Sequence, residues 1–356
     1  MRILGYLLPP LALIAAYLLF WPVSIEPTAW TPQPLPAAAY PYNETLKSVE
    51  RLADGVGRGP EGIAVDAAGR IYAGYDDGRV MMFSRKGTDG LLLANTGGRP
   101  LGLSFGPRGG VLVADAVKGL LLVGGQGASQ LLAVEAEGVP FKFVDDVDNT
   151  RLSRKVYFTD ASSKFAWPHT MSDVMEHGAN GRLLEYDFDT EKTTVLLRDL
   201  HFANGVAVGP DDAYVLVNET TEYRVRRYWL KGEKAGTSDI FIDNLPGFPD
   251  NISYNDKGQF WLALYAPRTA ALDSLLPKPD LRRIVFRLPQ FLQPGPAHHG
   301  WVLGLDLDGK VVANLQYKGK GAYSPITSAE QFGDALFLGS LTDTAIGHLP
   351  LSAIPK

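Results

Sequence analysis

The chain has 356 residues, 46% of them in the hydrophobic set and 21% charged, which is ordinary globular usage and excludes a disordered chain. Its formal net charge is −5 and it contains no long basic cluster, so nucleic-acid binding is excluded. There are no cysteines, which removes disulfides, thiolate metal sites and a cysteine nucleophile.

In chain order, Arg2 precedes a stretch from Ile3 to Val23 that is apolar except for glycine, tyrosine and two prolines. A bilayer span takes roughly 20 apolar residues, so residues 1–23 are expected as a transmembrane signal-anchor, with Pro9-Pro10 as a tolerated kink. A cleaved signal peptide is the competing reading. No small-x-small pattern follows closely, and AAAY (37–40) lies far downstream. Trp21 and Trp30 suit a membrane interface, and Arg2 as the only early charge places the N-terminus in the cytoplasm and the rest of this single-pass chain outside. The Pro-rich residues 24–43 read as an extended linker leading to a folded domain over 44–356.

From there one unit recurs: a carboxylate or carboxamide corner, a short apolar strand, a polar turn and a second apolar strand. Unit one is GPEGIAVDAAGRIYAGYDDGRVMMFS (59–84) and unit two RPLGLSFGPRGGVLVADAVKGLLLV (99–123). Unit three is FVDDVDNTRLSRKVYFTDASSKF (143–165) with NGRLLEYDFDTEKTTVLL (180–197), and unit four FANGVAVGPDDAYVLVNETTEYRVRRYWL (202–230). Unit five is FPDNISYNDKGQFWLALYAPR (248–268), finished by RRIVFRLP (282–289). Unit six is GWVLGLDLDGKVVANLQYKG (300–319) with SAEQFGDALFLGSLTDTAIGHLPL (328–351). Six units of about four strands each predict an all-β fold, a six-bladed β-propeller, with residues 44–52 available to complete the last blade.

The innermost strand of each propeller blade lines the central channel, so residues at its start face one another across the axis. Glu61, Asp145, Asn204 and Asp250 hold that place in units one, three, four and five. Unit two has Leu101-Gly102 there and unit six Pro325-Ile326, neither of which offers a comparable ligand. An all-oxygen set of this kind suits a hard cation, and one Ca2+ in the channel is expected.

These same segments carry a family resemblance. GPEGIAVD, VADAVKGLLLV, VYFTDASSKF, GRLLEYD, FANGV, ETTEYRVRRYWL, PGFPDNI and LFLGSL resemble the strictosidine-synthase-like branch of six-bladed propellers, over about residues 44 to 351. That branch includes the adipocyte plasma-membrane-associated proteins and stands with gluconolactonases, paraoxonases and diisopropylfluorophosphatases among calcium-dependent propeller hydrolases. The resemblance implies calcium ligands at Glu61, Asn204 and Asp250, with Asn251 as a further near ligand. It also implies a role for Asp250 in catalysis, as nucleophile or as orienter of a water. Two departures stand out. Asp145-Asp146 replaces the family's usual Asn-Asp, which gives three negative ligands and so tighter metal binding with a weaker pull on a substrate oxygen. Phe260-Trp261 is followed by LALYAPR, with Ala266 and Pro267 where plant strictosidine synthases have a glutamate; Pictet–Spengler condensation is therefore not expected.

His201, two residues before the FANG strand, is a candidate general base, with a blade-edge histidine as the plain alternative. The insertion after unit three supplies Phe165, Trp167, His169 and Met171 as a possible pocket wall and lid, or as ordinary packing. His298-His299 reads as an exposed turn, and Asp115, Asp160 and Glu219 as makers of turn hydrogen bonds. The expected function is a membrane-anchored, calcium-dependent hydrolase of small esters or lactones (arylesterase- or lactonase-like). The alternative is a binding or scaffold propeller with a structural metal.

Overall fold

Short apolar runs, buried almost throughout in many of the inner and second strands and broken by Gly- and Asp-rich turns, pair in the computed structural model as antiparallel sheets; it describes residues 2–355 apart from 108, 125, 126 and 294. Blade one consists of Ile63–Val65, Ile71–Gly74, Arg79–Phe83 and Leu91–Asn95. Blade two is Pro100–Phe105, Val111–Asp115, Gly119–Val123 and Ser129–Ala133; blade three is Val144–Asn149, Lys155–Asp160, Gly181–Asp187 and Lys192–Leu200. Blade four is Ala203–Val208, Tyr214–Glu219, Arg224–Trp229 and Ser238–Ile242. Blade five is Gly247–Tyr254, Gln259–Pro267, Gly300–Asp306 and Val311–Tyr317. Blade six takes Ser328–Phe332, Ala335–Gly339 and Ile346–Pro350 from the C-terminal end and Glu50–Leu52 as its outermost strand. That last pairing, Glu50 with His348 and Leu52 with Ile346, closes the ring with residues from both ends of the chain.

The core is divided among the blade interfaces. Val206, Val215 and Val217 of blade four meet Tyr157 and Leu183 of blade three, and an apolar cluster of this kind fills each of the six junctions. Each fully buried aliphatic side chain contributes roughly 1.5–3 kcal/mol relative to exposure, so the ring is held by its sheet faces. Inner strands approach closely at the axis. A Cβ on Gly62 would lie 2.1 Å from the Leu101 carbonyl oxygen, and one on Gly205 would lie 2.5 Å from the Asp250 oxygen. Only glycine permits that approach.

The prediction for units five and six needs correction. RRIVFRLP is not a strand: Pro279–Phe286 is a helix, opened by Pro279 in its first turn with Asp280 beside it. Its β-branched residues imitate a strand, but proline at that position and the Asp280–Arg283 pair mark a helix start. Residues 300–317 then belong to blade five, and blade six begins at Ser328, so Thr327 rather than Pro325-Ile326 precedes its inner strand.

Three helices lie over one end of the channel. We label the helices α1 (Arg2–Phe20), α2 (Thr170–Glu176), α3 (Ala270–Leu275) and α4 (Pro279–Phe286). The last three lie between the second and third strands of blades three and five. Because first and second strands are antiparallel, with Val144 opposite Asp160 and Gly247 opposite Pro267, those insertions emerge where the inner strands begin. The lid is therefore on the ligand side by topology.

The apolar N-terminal segment is helical. Among the described residues, no helix is long and apolar enough to cross a membrane. The end of α1 is tied to the lid: Arg287, just after α4, donates to the carbonyls of Trp21 (2.6 Å) and Leu18 (2.8 Å). Residues 24–34 run over the lid as a strap, with Ile25 buried against Phe165 and Met175. Thr28 donates to the Glu176 carbonyl at 2.9 Å, and Arg268 donates to the Gln33 carbonyl at 2.7 Å. The buried Arg282 guanidinium donates to Thr28, Met175 and Glu176 carbonyls and joins strap, α2 and α4.

Candidate functional site

The ligand corners owe their geometry to a repeated irregularity. The ladder between first and second strands shifts at Val144/Val147, Ala203/Val206 and Pro249/Ile252, so Asp145-Asp146, Asn204-Gly205 and Asp250-Asn251 occupy β-bulges. A bulge leaves residues out of the ladder and re-aims their side chains. Blade two has the same shift at Pro100/Leu103, where Leu101-Gly102 gives an apolar equivalent.

Each corner is also held from outside. Asp115 Oδ1 accepts from the Arg99 N–H at 2.9 Å and Asp160 Oδ1 from the Phe143 N–H at 3.0 Å, both ahead of inner strands. Glu219 Oε1 accepts from His201 N–H at 3.3 Å, while its other oxygen pairs with Arg224 and Arg226. These three acids hold the turns, as their positions implied. Hydroxyls fix the corner carbonyls in turn: Thr159 donates to Asn204 O at 2.6 Å, Thr220 to Pro249 O at 2.7 Å and Ser328 to Glu61 O at 2.6 Å.

Glu61, Asp145, Asn204 and Asp250 are all buried and together form the floor of a cavity of ≈ 350 Å³ under the lid. Asn251 donates to Glu61 Oε1 at 2.8 Å, and the Asn204 carboxamide hydrogen-bonds the Asp250 carboxylate. Glu61 Oε2, Asn204 Oδ1 and Asn251 Oδ1 are buried and have no hydrogen-bond partner among the described residues. Burial pushes the Glu61 carboxyl up to about 7, against the opposing pull of Arg99 and Asn251. Burial first, and Glu61 and the other carboxylates second, hold Asp145 and Asp250 well above the usual carboxylate range. Orphaned acceptors facing several buried acids make a setting that a hard cation relieves, and the donor set fits calcium.

The spacing also has a limit. Among the described residues, the channel acids do not form a group of three with ligand atoms mutually within 4.8 Å. A calcium cage here therefore needs the Asn204 and Asn251 oxygens as well as the carboxylates.

The adjacent Asp146 belongs to the other side of the floor. Its Oδ2 accepts from Val206 N–H at 2.9 Å, and it lines the lower channel with Asp148, Arg151, Asp256 and Glu330. Sequence reasoning missed Arg99, the buried guanidinium whose charge acts on both Glu61 and Asp145. It also missed Tyr265 and Thr327, which line the upper cavity. The RPLG corner of unit two, with arginine where units three, four and five carry Phe143, Phe202 and Phe248, was the available signal for Arg99.

The predicted pocket residues separate in space. Trp167 and Met171 line the cavity, with Val174, Phe248 and Leu272 adding to its apolar wall. Trp167 packs edge-on against Phe143 at 5.6 Å. Phe165 does not line it, because its ring is buried beneath the strap against Ile25. His169 is exposed at the start of α2 and is not in the lining either. His201 is also outside the cavity: its ring faces His177, with centroids 4.7 Å apart, and Glu222. Burial, then the His177 ring, hold His201 below the usual imidazole range. His299 is buried beside Trp301 rather than exposed. Ala266 and Pro267 line the cavity.

Comparison with known proteins follows the same lines. Residues 145–233 match the strictosidine synthase family model and residues 38–83 that of the strictosidine synthase-like N-terminal region. Strictosidine synthase-like 6 of Arabidopsis thaliana is 39% identical over 320 residues, covering 87% of this chain and 84% of that protein. The adipocyte plasma membrane-associated protein of Salmo salar is 34% identical, covering 98% of this chain and 89% of its own. Among solved structures, a gluconolactonase from Xanthomonas campestris superposes with a TM-score of 0.61 at 16% identity, over 94% of this chain and 97% of its own. The calcium-binding protein regucalcin of Agrobacterium tumefaciens superposes with a TM-score of 0.57 at 18% identity, over 83% of this chain and 93% of its own. At those identities the likeness shows the fold.

Proposed function

The chain belongs to the strictosidine synthase-like family, and from that premise we propose a calcium-dependent hydrolase of small esters or lactones, held at a membrane by its N-terminal helix. One observation carries this reading: unpartnered, buried ligand oxygens form the floor of an apolar-walled cavity. Glu61, Asp145, Asn204 and Asp250 would hold the ion with the Asn251 oxygen as a near ligand, while the Asn251 N–H helps to set Glu61. When bound, calcium supplies the positive charge that draws density from an ester carbonyl and steadies a developing oxyanion.

The remaining work falls to the chain's own groups. Asp250, at the bulge of blade five, takes part in the attack, as the base for a water or as the nucleophile. Trp167, Met171 and Phe248 receive an apolar acyl or aryl group and exclude bulk water. Ala266 and Pro267 supply no proton, so the pocket favours hydrolysis over Pictet–Spengler condensation. The membrane tether is supported by the placement of α1, whose end is fixed to Arg287 beside the exposed Phe291 and Leu292, and by the name of the salmon relative.

The test is hydrolysis of a panel of aryl esters and lactones by the full chain in detergent, with calcium and then with chelator. Calcium-dependent turnover supports the reading. Absence of turnover together with calcium-dependent stabilisation leaves a structural ion and a binding propeller.

A further inference from the structure

We propose that His177, His201 and Glu222 form a second metal site, suited to a borderline ion such as Zn2+, which fastens the lid helix to blade four. The site is separate from the channel floor and independent of the hydrolase reading.

The three ligands come from three segments that only the fold brings together. His177 ends α2, His201 precedes the inner strand of blade four, and Glu222 lies in the turn after that blade's second strand. His177 Nε2 is 3.2 Å from Glu222 Oε1, and His201 Nε2 is 3.7 Å from the same oxygen. One ligand atom from each residue lies within 4.8 Å of the others. Tetrahedral zinc with ligands at about 2.0–2.1 Å separates them by roughly 3.3 Å, which is the scale observed.

Hydrogen bonding alone does not account for the cluster. A proton between His177 Nε2 and Glu222 explains one contact, but the 3.7 Å separation leaves His201 Nε2 without a hydrogen bond to that oxygen. Among the described residues neither buried Nδ1 has a hydrogen-bond partner, so no contact within the protein fixes either tautomer. His177 is 1% exposed, and its ring is stacked between Trp30 at 4.5 Å and His201 at 4.7 Å. Holding two imidazoles so closely around one carboxylate oxygen makes sense when a cation joins them.

The surroundings suit that role. Glu222 Oε2 is paired with Arg224 at 3.1 Å, which orients the carboxylate as an outer partner does in metal sites. Glu219, with Arg224 and Arg226, holds the turn before His201. The His201 and Glu222 side chains are 21% and 11% exposed, so a fourth position is open to water. Two imidazoles and one carboxylate select zinc over calcium, whereas the channel oxygens select the reverse. Since Thr170, Met171, Val174 and Met175 of α2 line the cavity, an ion at His177 also sets the wall of the mouth.

The experiment is a Zn2+ titration of the full chain in detergent under saturating Ca2+, by calorimetry, with Co2+ as a spectroscopic substitute. The expected result is one Zn2+ per chain and the visible absorption bands of four-coordinate Co2+. His201→Gln and Glu222→Gln each weaken Zn2+ binding by roughly tenfold or more, while Glu61→Gln in the channel leaves it unchanged. Zinc also protects residues 161–180 from protease. The proposal is overturned if the folded chain takes up no Zn2+ under saturating Ca2+, or if both cluster variants bind it like the parent. Loss of Zn2+ binding in Glu61→Gln alone overturns it equally. Should the variants fail to fold, octahedral rather than four-coordinate Co2+ in the parent chain decides against it.

Discussion

Asn251 of blade five donates to Glu61 Oε1 of blade one across 2.8 Å, linking two blades through the axis. Asn251 Oδ1 and Glu61 Oε2 are buried and have no partner among the described residues. One donor therefore fixes the Glu61 carboxylate while two acceptors are kept for a cation. Asn251→Ala removes the donor and one of those acceptors. The expected outcome is a loss of about 1–3 kcal/mol of stability in chelator and a weaker calcium response, read from melting curves with and without Ca2+. Melting that is unchanged in both conditions sinks the assignment.

Glu61 sets the sign of a pH effect in the calcium-free chain. Its folded value near 7 stands above the unfolded 4.5, so the native state holds the proton longer. Its contribution is fully present below about pH 4.5 and is lost as pH rises through 7, by roughly 3 kcal/mol in all. Calcium reverses the trend, because the ion needs the ionised carboxylate. The gain in melting temperature on adding Ca2+ is expected to be larger at pH 8 than at pH 5.5. Equal gains at both values, or a Glu61→Gln chain with the parent's profile, contradict this.

The propeller was legible because short β-rich runs separated by polar turns recur in six units, and the metal corners because PEG, VDD, ANG and PDN recur at matching places. The bulges that aim those residues were not legible, since a ladder shift depends on the partner strand. The end of unit five was misread because Ile284 and Val285 mimic a strand, although Pro279 marked a helix start. Sequence gave no reason to join His177, His201 and Glu222, which lie in separate segments with no motif spacing. The linker reading also lacked the strap, because its contacts are made by Arg268 and Arg282, far along the chain.

Arg282 gives the strap a single point of failure. It is fully buried, has no carboxylate partner among the described residues, and burial lowers its guanidinium to about 10. Three carbonyls accept from its terminal nitrogens instead, those of Thr28, Met175 and Glu176, while Nε has no partner among the described residues. Arg282→Met keeps the stem and removes the donors, so the strap and α2 lose their common anchor. A stability loss of about 3 kcal/mol is expected, with new protease cleavage within residues 24–34. Unchanged cleavage there refutes the anchoring role.

Asp145 and Asp250 both lie in bulges on the cavity floor, yet their substitution is expected to separate binding from chemistry. Asp145→Asn removes one of three negative ligands and keeps an oxygen donor, so calcium affinity falls on the order of tenfold. With the ion saturating, turnover is expected to hold or rise, because a less neutralised cation pulls harder on the substrate oxygen. Asp250→Asn also keeps an oxygen donor but removes the group that attacks or accepts a proton. Turnover should then fall by roughly 10²–10⁴-fold at saturating calcium, with only a modest change in KM. Calorimetry and initial rates on the two variants make the comparison. If Asp145→Asn binds calcium as tightly as the parent, the extra charge is not what tightens the site. If Asp250→Asn turns over at the parent rate, the carboxylate is a ligand alone.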